Sequence, residues 1–201
     1  MRGYNSVMGE LRFFKVQDVI QRFNTRAFVE TGTGYGFSLY FASCFPFQQL
    51  HSIDILEDEV KRLRPAFEVD RRVQLHAGKS PDVLRQLLPT ISENILFWLD
   101  AHYPGAHHGA PFDAEKDERT RLPLEDELNV IKELRGGFRD VILIDDLRIY
   151  EEDRFEWGNL RNFNLQHTGK FDSKFLYSTF EATHSSQRLL NHTGYVVLLP
   201  K

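Results

Sequence analysis

The residues best suited to chemistry are acids that close short apolar runs. Asp100 ends Phe97-Trp98-Leu99, and Asp145-Asp146 end Ile142-Leu143-Ile144. His102 stands two positions past Asp100. If the two runs are neighbouring strands, about 4.8 Å apart, these acids converge. Converging carboxylates repel unless something neutralises them. A divalent cation, Mg²⁺ first, does so with oxygen ligands and retains waters that substrate oxygens replace. Such a cation orients a hydroxyl and lowers its pKa. Salt bridges to Arg148 or Arg119, or plain strand-end capping, account for the same acids without a metal. His102, with an ordinary pKa of about 6.5, suits a general base, a fourth metal ligand or a loop-fixing group.

A second constellation lies near the start. Glu30-Thr31-Gly32-Thr33-Gly34-Tyr35-Gly36 follows one apolar run and precedes another. Glycines at a strand-to-helix junction let the backbone turn tightly and approach a ligand. The turn, with Gly32, Thr33, Gly34 and Gly36, points to a nucleotide-like cofactor site or, with no ligand, to a bare tight turn. Asp54 stands 18 residues after Gly36. An acid there accepts hydrogen bonds from ribose hydroxyls, or caps the helix that follows. The spacing is not G-x-G-x-x-G, which speaks against a nicotinamide-dependent oxidoreductase.

These residues need a frame. Met8–Phe23 places Leu11, Phe14, Val19, Ile20 and Phe23 at roughly helical spacing, predicting an amphipathic helix there that covers one edge, within an N-terminal helical cover of residues 1–26. Strand patterns at Ala27–Glu30, Leu50–Ile53, Val73–His76, Ile95–Leu99 and Val141–Ile144 alternate with helical ones. The helical segments are Phe37–Phe45, Leu56–Phe67, Pro81–Leu88 and Leu124–Leu134. This alternation predicts an α/β fold with a parallel sheet and helices on both faces. Lys174–Thr183 and Arg188–Leu199 read as strands with a short connection. They predict an antiparallel pair at the sheet edge. Residues 103–123, rich in His, Gly, Pro and charge, read as a lid loop. Its run Asp113–Arg121 reads as a solvated face, and its His107 and His108 as exposed. Glu151–Phe171 reads as a pocket rim.

Composition narrows the classes. The 201 residues carry a net charge of −4, are 41% hydrophobic and hold one cysteine. One globular domain fits this length. No basic footprint supports nucleic-acid binding. No apolar run approaches the ~20 residues of a membrane span, so a cytoplasmic protein is expected. Cys44 can form no intrachain disulfide, and its apolar neighbours predict burial. Trp98, Tyr103, Tyr150 and Trp157 either stack on a sugar or phenol or pack inside. The first helix offers an interface for a homo-oligomer.

With these motifs the chain resembles the class I S-adenosylmethionine (SAM)-dependent methyltransferases. The matching pieces are Val29–Gly36, Ser52-Ile53-Asp54 and Gly78-Lys79-Ser80. The resemblance implies a Rossmann-like sheet over the whole chain. It places Glu30 and Gly32 near the methionine end of the cofactor and Gly34 at the close backbone approach. Asp54 falls at the ribose, Gly78 and Lys79 beside the adenine, and Asp100 also in the cofactor site. Relatives often carry an acid where Lys79 stands. The strand-end acids resemble those of metal-dependent O-methyltransferases, the macrocin O-methyltransferase group among them. That implies Asp100, Asp145 and Asp146 as metal ligands and a small hydroxylated acceptor (sugar, natural product or phenol). A metal-independent methyltransferase with His102 or Asp100 as base, and a non-catalytic SAM-fold binding protein, are the alternatives.

Overall fold

The computed structural model describes residues 10–102, 117–159 and 173–201. Seven strands form one mixed sheet: β1 Thr25–Thr31, β2 Gln49–Asp54, β3 Val73–Ala77, β4 Asn94–Leu99, β5 Val141–Ile144, β6 His184–Leu189 and β7 Tyr195–Pro200. Their order is β3-β2-β1-β4-β5-β7-β6. The first five run parallel, and β7 is antiparallel to both β5 and β6. This is the Rossmann-like architecture expected, with the antiparallel pair at one edge.

Helices cover both faces because the central strands are apolar on both sides. Helices α1 Val16–Phe23, α2 Phe37–Ser43 and α3 Glu57–Phe67 cover one face. Their Ile20, Leu39 and Leu63 join a core with Phe28, Leu96, Trp98 and Leu143. Helices α4 Ser80–Leu87 and α6 Leu124–Arg135 cover the other. There Leu84, Leu128 and Ile131 pack with Val29, Phe97 and Ile144.

Several expectations are corrected. Residues 1–9 of the expected helical cover lie outside the described residues, and the rest of the first helix is interrupted. Leu11–Phe13 form a 3-10 turn and Phe14 is extended before α1 begins. The ring of Phe14 meets Trp98 and Tyr195 edge-on, 5.9 and 5.2 Å between centroids, and this packing breaks the periodicity. Asn24, at φ +51°, ends α1 in the left-handed conformation common at helix C-termini. The helix lies over the central strands β1 and β4, not over an edge.

At the other end, the predicted strand over Lys174–Thr183 is the short helix α7, Phe175–Ser178, followed by turns. Its buried members, Leu176 and Phe180, stand four residues apart, the spacing of one helix face. The predicted strand over Arg188–Leu199 is split by a turn at Asn191–Gly194: its first two residues end β6, which begins earlier at His184, and the rest from Tyr195 belongs to β7. His192 and Gly194 take φ of +54° and +80°. A side chain at Gly194 would run into the ring of Phe155. Cys44 is exposed, since α2 buries Leu39 and Ala42 and Cys44 falls beyond its last turn.

Strand β5 is followed by a 3-10 turn, Leu147–Ile149, so the β-α alternation stops there. The end of the expected lid is helix α5, Glu118–Arg121. Residues 103–116, with Tyr103, His107 and His108, lie outside the described residues, as does 160–172 of the expected rim. Among the described residues no helix is long and apolar enough to cross a membrane.

Candidate functional site

Strand β1 ends at Thr31, and the glycine turn begins where the sheet ends. Gly32, Gly34 and Gly36 all have positive φ, +84°, +50° and +81°. At Gly32 a Cβ would lie 2.4 Å from the carbonyl oxygen of Asp100. No side chain fits, because the turn abuts the tip of β4. Gly32→Ala therefore combines a left-handed backbone with a clash against main chain. A loss of roughly 3 kcal/mol in chemical denaturation is expected; a stability within about 0.5 kcal/mol of wild type is what an ordinary surface site would give. Gly34 has open space where a Cβ would stand, as a close backbone approach requires. Gly36 supplies the N-cap of α2.

Behind the turn, Glu30 is fully buried. Its carboxylate oxygens accept from Ser38 and Ser52, each at 2.5 Å. The Thr33 and Ser52 hydroxyls meet at 2.6 Å. Burial pushes Glu30 up to about 8, against the Ser38 and Ser52 hydrogen bonds, with the charges of Asp100 and Asp54 adding to the rise. This side chain knits β1, β2 and α2 beneath the turn.

Asp54 ends β2 beside it. Its Oδ2 accepts from the Gly34 amide at 3.0 Å and its Oδ1 from the Leu56 amide at 2.8 Å. Leu56, not Asp54, holds the N-cap position of α3. Gly78 at the tip of β3 donates its amide to the Asp54 carbonyl oxygen, 2.9 Å. Lys79 is the N-cap residue of α4, and its Nζ lies 3.8 Å from Asp117. The three strand tips thus stand side by side at one end of the sheet.

The acids of β4 and β5 meet next to the turn. The Asp100 amide donates to Thr31 O and the Asp145 amide to Leu99 O, each 3.0 Å, so the three strand ends are locked in step. His102 Nε2 lies 2.7 Å from Asp146 Oδ2 and 3.3 Å from Asp100 Oδ1. Asp146 is held at φ +51°, which turns its carboxylate toward His102. Arg148 Nε donates to Asp146 Oδ1 at 3.1 Å, so one expected salt bridge is present. Arg119 faces Asp126 instead.

Burial opposes charge on His102, yet the charge of Asp146 and hydrogen bonds to Asp100 and Asp146 hold it well above its ordinary value. Burial raises Asp100 despite its bond to His102. Burial works to raise Asp146 too, but His102 and Arg148 outweigh it and bring it down. Donor atoms of Asp100, His102 and Asp146 lie within 4.8 Å of one another, as a metal ion would need. Asp145 is not in this group. Its Oδ1 accepts from the Asp146 amide at 2.6 Å and from Thr193 Oγ1 at 2.8 Å.

A small pocket opens here, lined in part by Asp100, His102, Asp145, Glu127 and Tyr150. Of the aromatic candidates, Trp98 is core, Tyr150 lines the pocket and Trp157 packs edge-on to His192. Sequence reasoning missed Glu127. Its signal was present: Leu124, Leu128 and Ile131 form the buried stripe of α6, and Glu127 stands within that stripe. Burial lifts Glu127 to about 7, while a hydrogen bond from Ser80 and the nearby Thr31 hydroxyl pull it back.

No protein-family model and no curated protein sequence matches the chain. Solved structures do match in fold. A Staphylococcus aureus protein described as a caffeoyl-CoA O-methyltransferase is 12% identical, with a TM-score of 0.61 over 92% of this chain and 81% of that one. SAH-bound methyltransferase PaMTH1 from Podospora anserina is 18% identical, also at 0.61, over 92% and 75%. A Klebsiella pneumoniae protein described as an O-methyltransferase is 16% identical, at 0.54, over 92% and 78%. The fold is the one these methyltransferases share.

Proposed function

We propose that the chain is a SAM-dependent methyltransferase acting on a hydroxyl of a small molecule. One observation carries the reading: Gly32 of the cofactor-type turn touches the backbone of Asp100, the first acid of the cluster. SAM would be held along Gly32, Thr33, Gly34, Gly36, Asp54, Gly78 and Lys79, and it would supply a methyl group on a sulfonium that leaves as a thioether when the acceptor oxygen takes the methyl. The hydroxyl proton passes to a carboxylate. Asp100 suits this role, because its raised pKa makes it the better base. His102, already donating to two carboxylates, positions Asp100 and Asp146. Alignment and proximity supply most of what methyl transfer needs.

The donor set also fits a divalent cation held by Asp100, His102 and Asp146. A nitrogen ligand suits Mn²⁺ or Zn²⁺ better than the Mg²⁺ expected from carboxylates alone. Such an ion would orient the acceptor hydroxyl and lower its pKa. Its binding requires His102 to lose its proton. The metal-free reading is favoured by one feature, the ion pairing of His102 with both acids.

Calorimetric titration of SAM into metal-stripped protein, repeated with Mg²⁺ and Mn²⁺, tests both. Micromolar binding is expected. No binding under any condition overturns the methyltransferase reading. A cation-dependent change in heat supports the metal, and an unchanged heat favours the metal-free reaction.

A further inference from the structure

We propose that Glu127 and Asp145 form an acidic subsite for an ammonium group carried by the methyl acceptor. This rests on the O-methylation reading and extends it to substrate class: a hydroxyl compound that also bears an amine.

The argument begins with two oxygen atoms. Asp145 is 3% exposed and Glu127 is fully buried. Asp145 Oδ1 has two donors, but Oδ2 has none. Glu127 Oε1 accepts from Ser80, while Oε2 has no donor in hydrogen-bond geometry, and the nearby Thr31 hydroxyl is itself left without a partner. Buried acceptors are nearly always satisfied, and an unsatisfied one calls for a missing donor. Both residues line the same small pocket.

The missing donor has a definable chemistry. Asp100 also faces the pocket, and Asp146 stands behind it, so the surroundings are strongly acidic. His102 is engaged with Asp100 and Asp146, and the Arg148 guanidinium reaches Asp146. A positive group is therefore favoured over a neutral one. It must serve two separate carboxylates, which the single hydrogen of a hydroxyl cannot do; a water has two hydrogens but brings no charge, whereas an ammonium carries three and also answers the acids' charge. The pocket is small, which favours an ammonium over a guanidinium. Leu99, Leu124 and Ile149 supply apolar walls for the carbon attached to it. A second metal is not favoured. Among the described residues the converging set of metal donors is Asp100, His102 and Asp146.

The test uses matched pairs that differ by the amine: D-glucosamine against D-glucose, and dopamine against catechol. Each is titrated into the full chain with S-adenosylhomocysteine and Mn²⁺ present. The ammonium member of at least one pair is expected to bind at least tenfold tighter. Glu127→Gln and Asp145→Asn should each cut that preference at least fivefold and leave S-adenosylhomocysteine affinity within threefold of wild type. Both are near-isosteric, and if one fails to fold the other carries the test. Equal binding within both pairs, or a preference that survives both substitutions, overturns the subsite. Failure of wild-type protein to bind S-adenosylhomocysteine would count against the methyltransferase reading alone. The pairs are then titrated without cofactor, and the same preference decides the subsite.

Discussion

Asp146→Asn is expected to lower kcat/KM about a hundred- to thousandfold, the usual loss when one charge at a preorganised site is removed. Asparagine keeps the shape and tolerates the left-handed backbone that Asp146 adopts. The change therefore isolates charge. His102 loses the carboxylate charge that does most to hold it protonated, while its burial stays. Its pKa must fall, since losing a neighbouring negative charge disfavours the imidazolium. NMR titration of His102 reads this directly, and a purely structural role for Asp146 would not produce it. SAM affinity should stay within threefold, because Asp146 lies outside the proposed cofactor contacts. Wild-type kcat/KM in the variant would remove Asp146 from the chemistry.

Arg135→Met is expected to destabilise the fold by roughly 3–5 kcal/mol, the loss typical of breaking a buried ion pair from one side. Arg135 and Asp140 are 3% exposed each. The guanidinium donates to both carboxylate oxygens at 2.9 and 2.8 Å, and to the carbonyl oxygens of Ile91 and Glu93. Asp140 Oδ1 also accepts from the Ile95 amide at 2.7 Å. The pair thus ties the end of α6 to the starts of β4 and β5. Removing Arg135 leaves Asp140 buried without its counter-ion. For a chain of this size the melting temperature should fall by about 10 °C. The double change Arg135→Met with Asp140→Asn should recover part of the loss, because no buried charge is then stranded. The site lies at the opposite ends of the same strands, so SAM affinity of the folded fraction should be unchanged. An unaltered melting temperature would mean that the ion pair contributes nothing net.

Several features were legible because they depend on local pattern. The runs Ala27–Val29, Ile95–Leu99 and Val141–Ile144 are apolar on both faces, and a sheet covered by helices on both sides accommodates them. Three glycines in five residues mark a turn that needs positive φ, and Gly32, Gly34 and Gly36 all adopt it. Acids at the ends of adjacent parallel strands meet at one end of the sheet, which brings Asp100 within reach of the Asp145-Asp146 pair. The carboxyl-terminal hairpin was legible as a pair but not in its bounds. Phe175, Leu176, Tyr177 and Phe180 satisfy a strand pattern as readily as a helical one. The choice was made by which of them the core receives.

Sequence by itself determined the parallel strands and set candidate acids at their carboxyl ends, since hydrophobic period and turn residues act over a few positions of chain. Tertiary structure alone decided the partners. His102 sits between Asp100 and Asp146 because residue 146 is left-handed, and Asp145 turns to Thr193, 48 residues away. Glu127 enters the pocket from α6, and Arg135 reaches back to the carbonyl oxygens of Ile91 and Glu93. Such contacts join residues remote in sequence, or depend on one backbone angle, and no local period encodes either. They are fixed when packing makes leaving a buried charge or polar atom without a partner more costly than bending the chain to meet it.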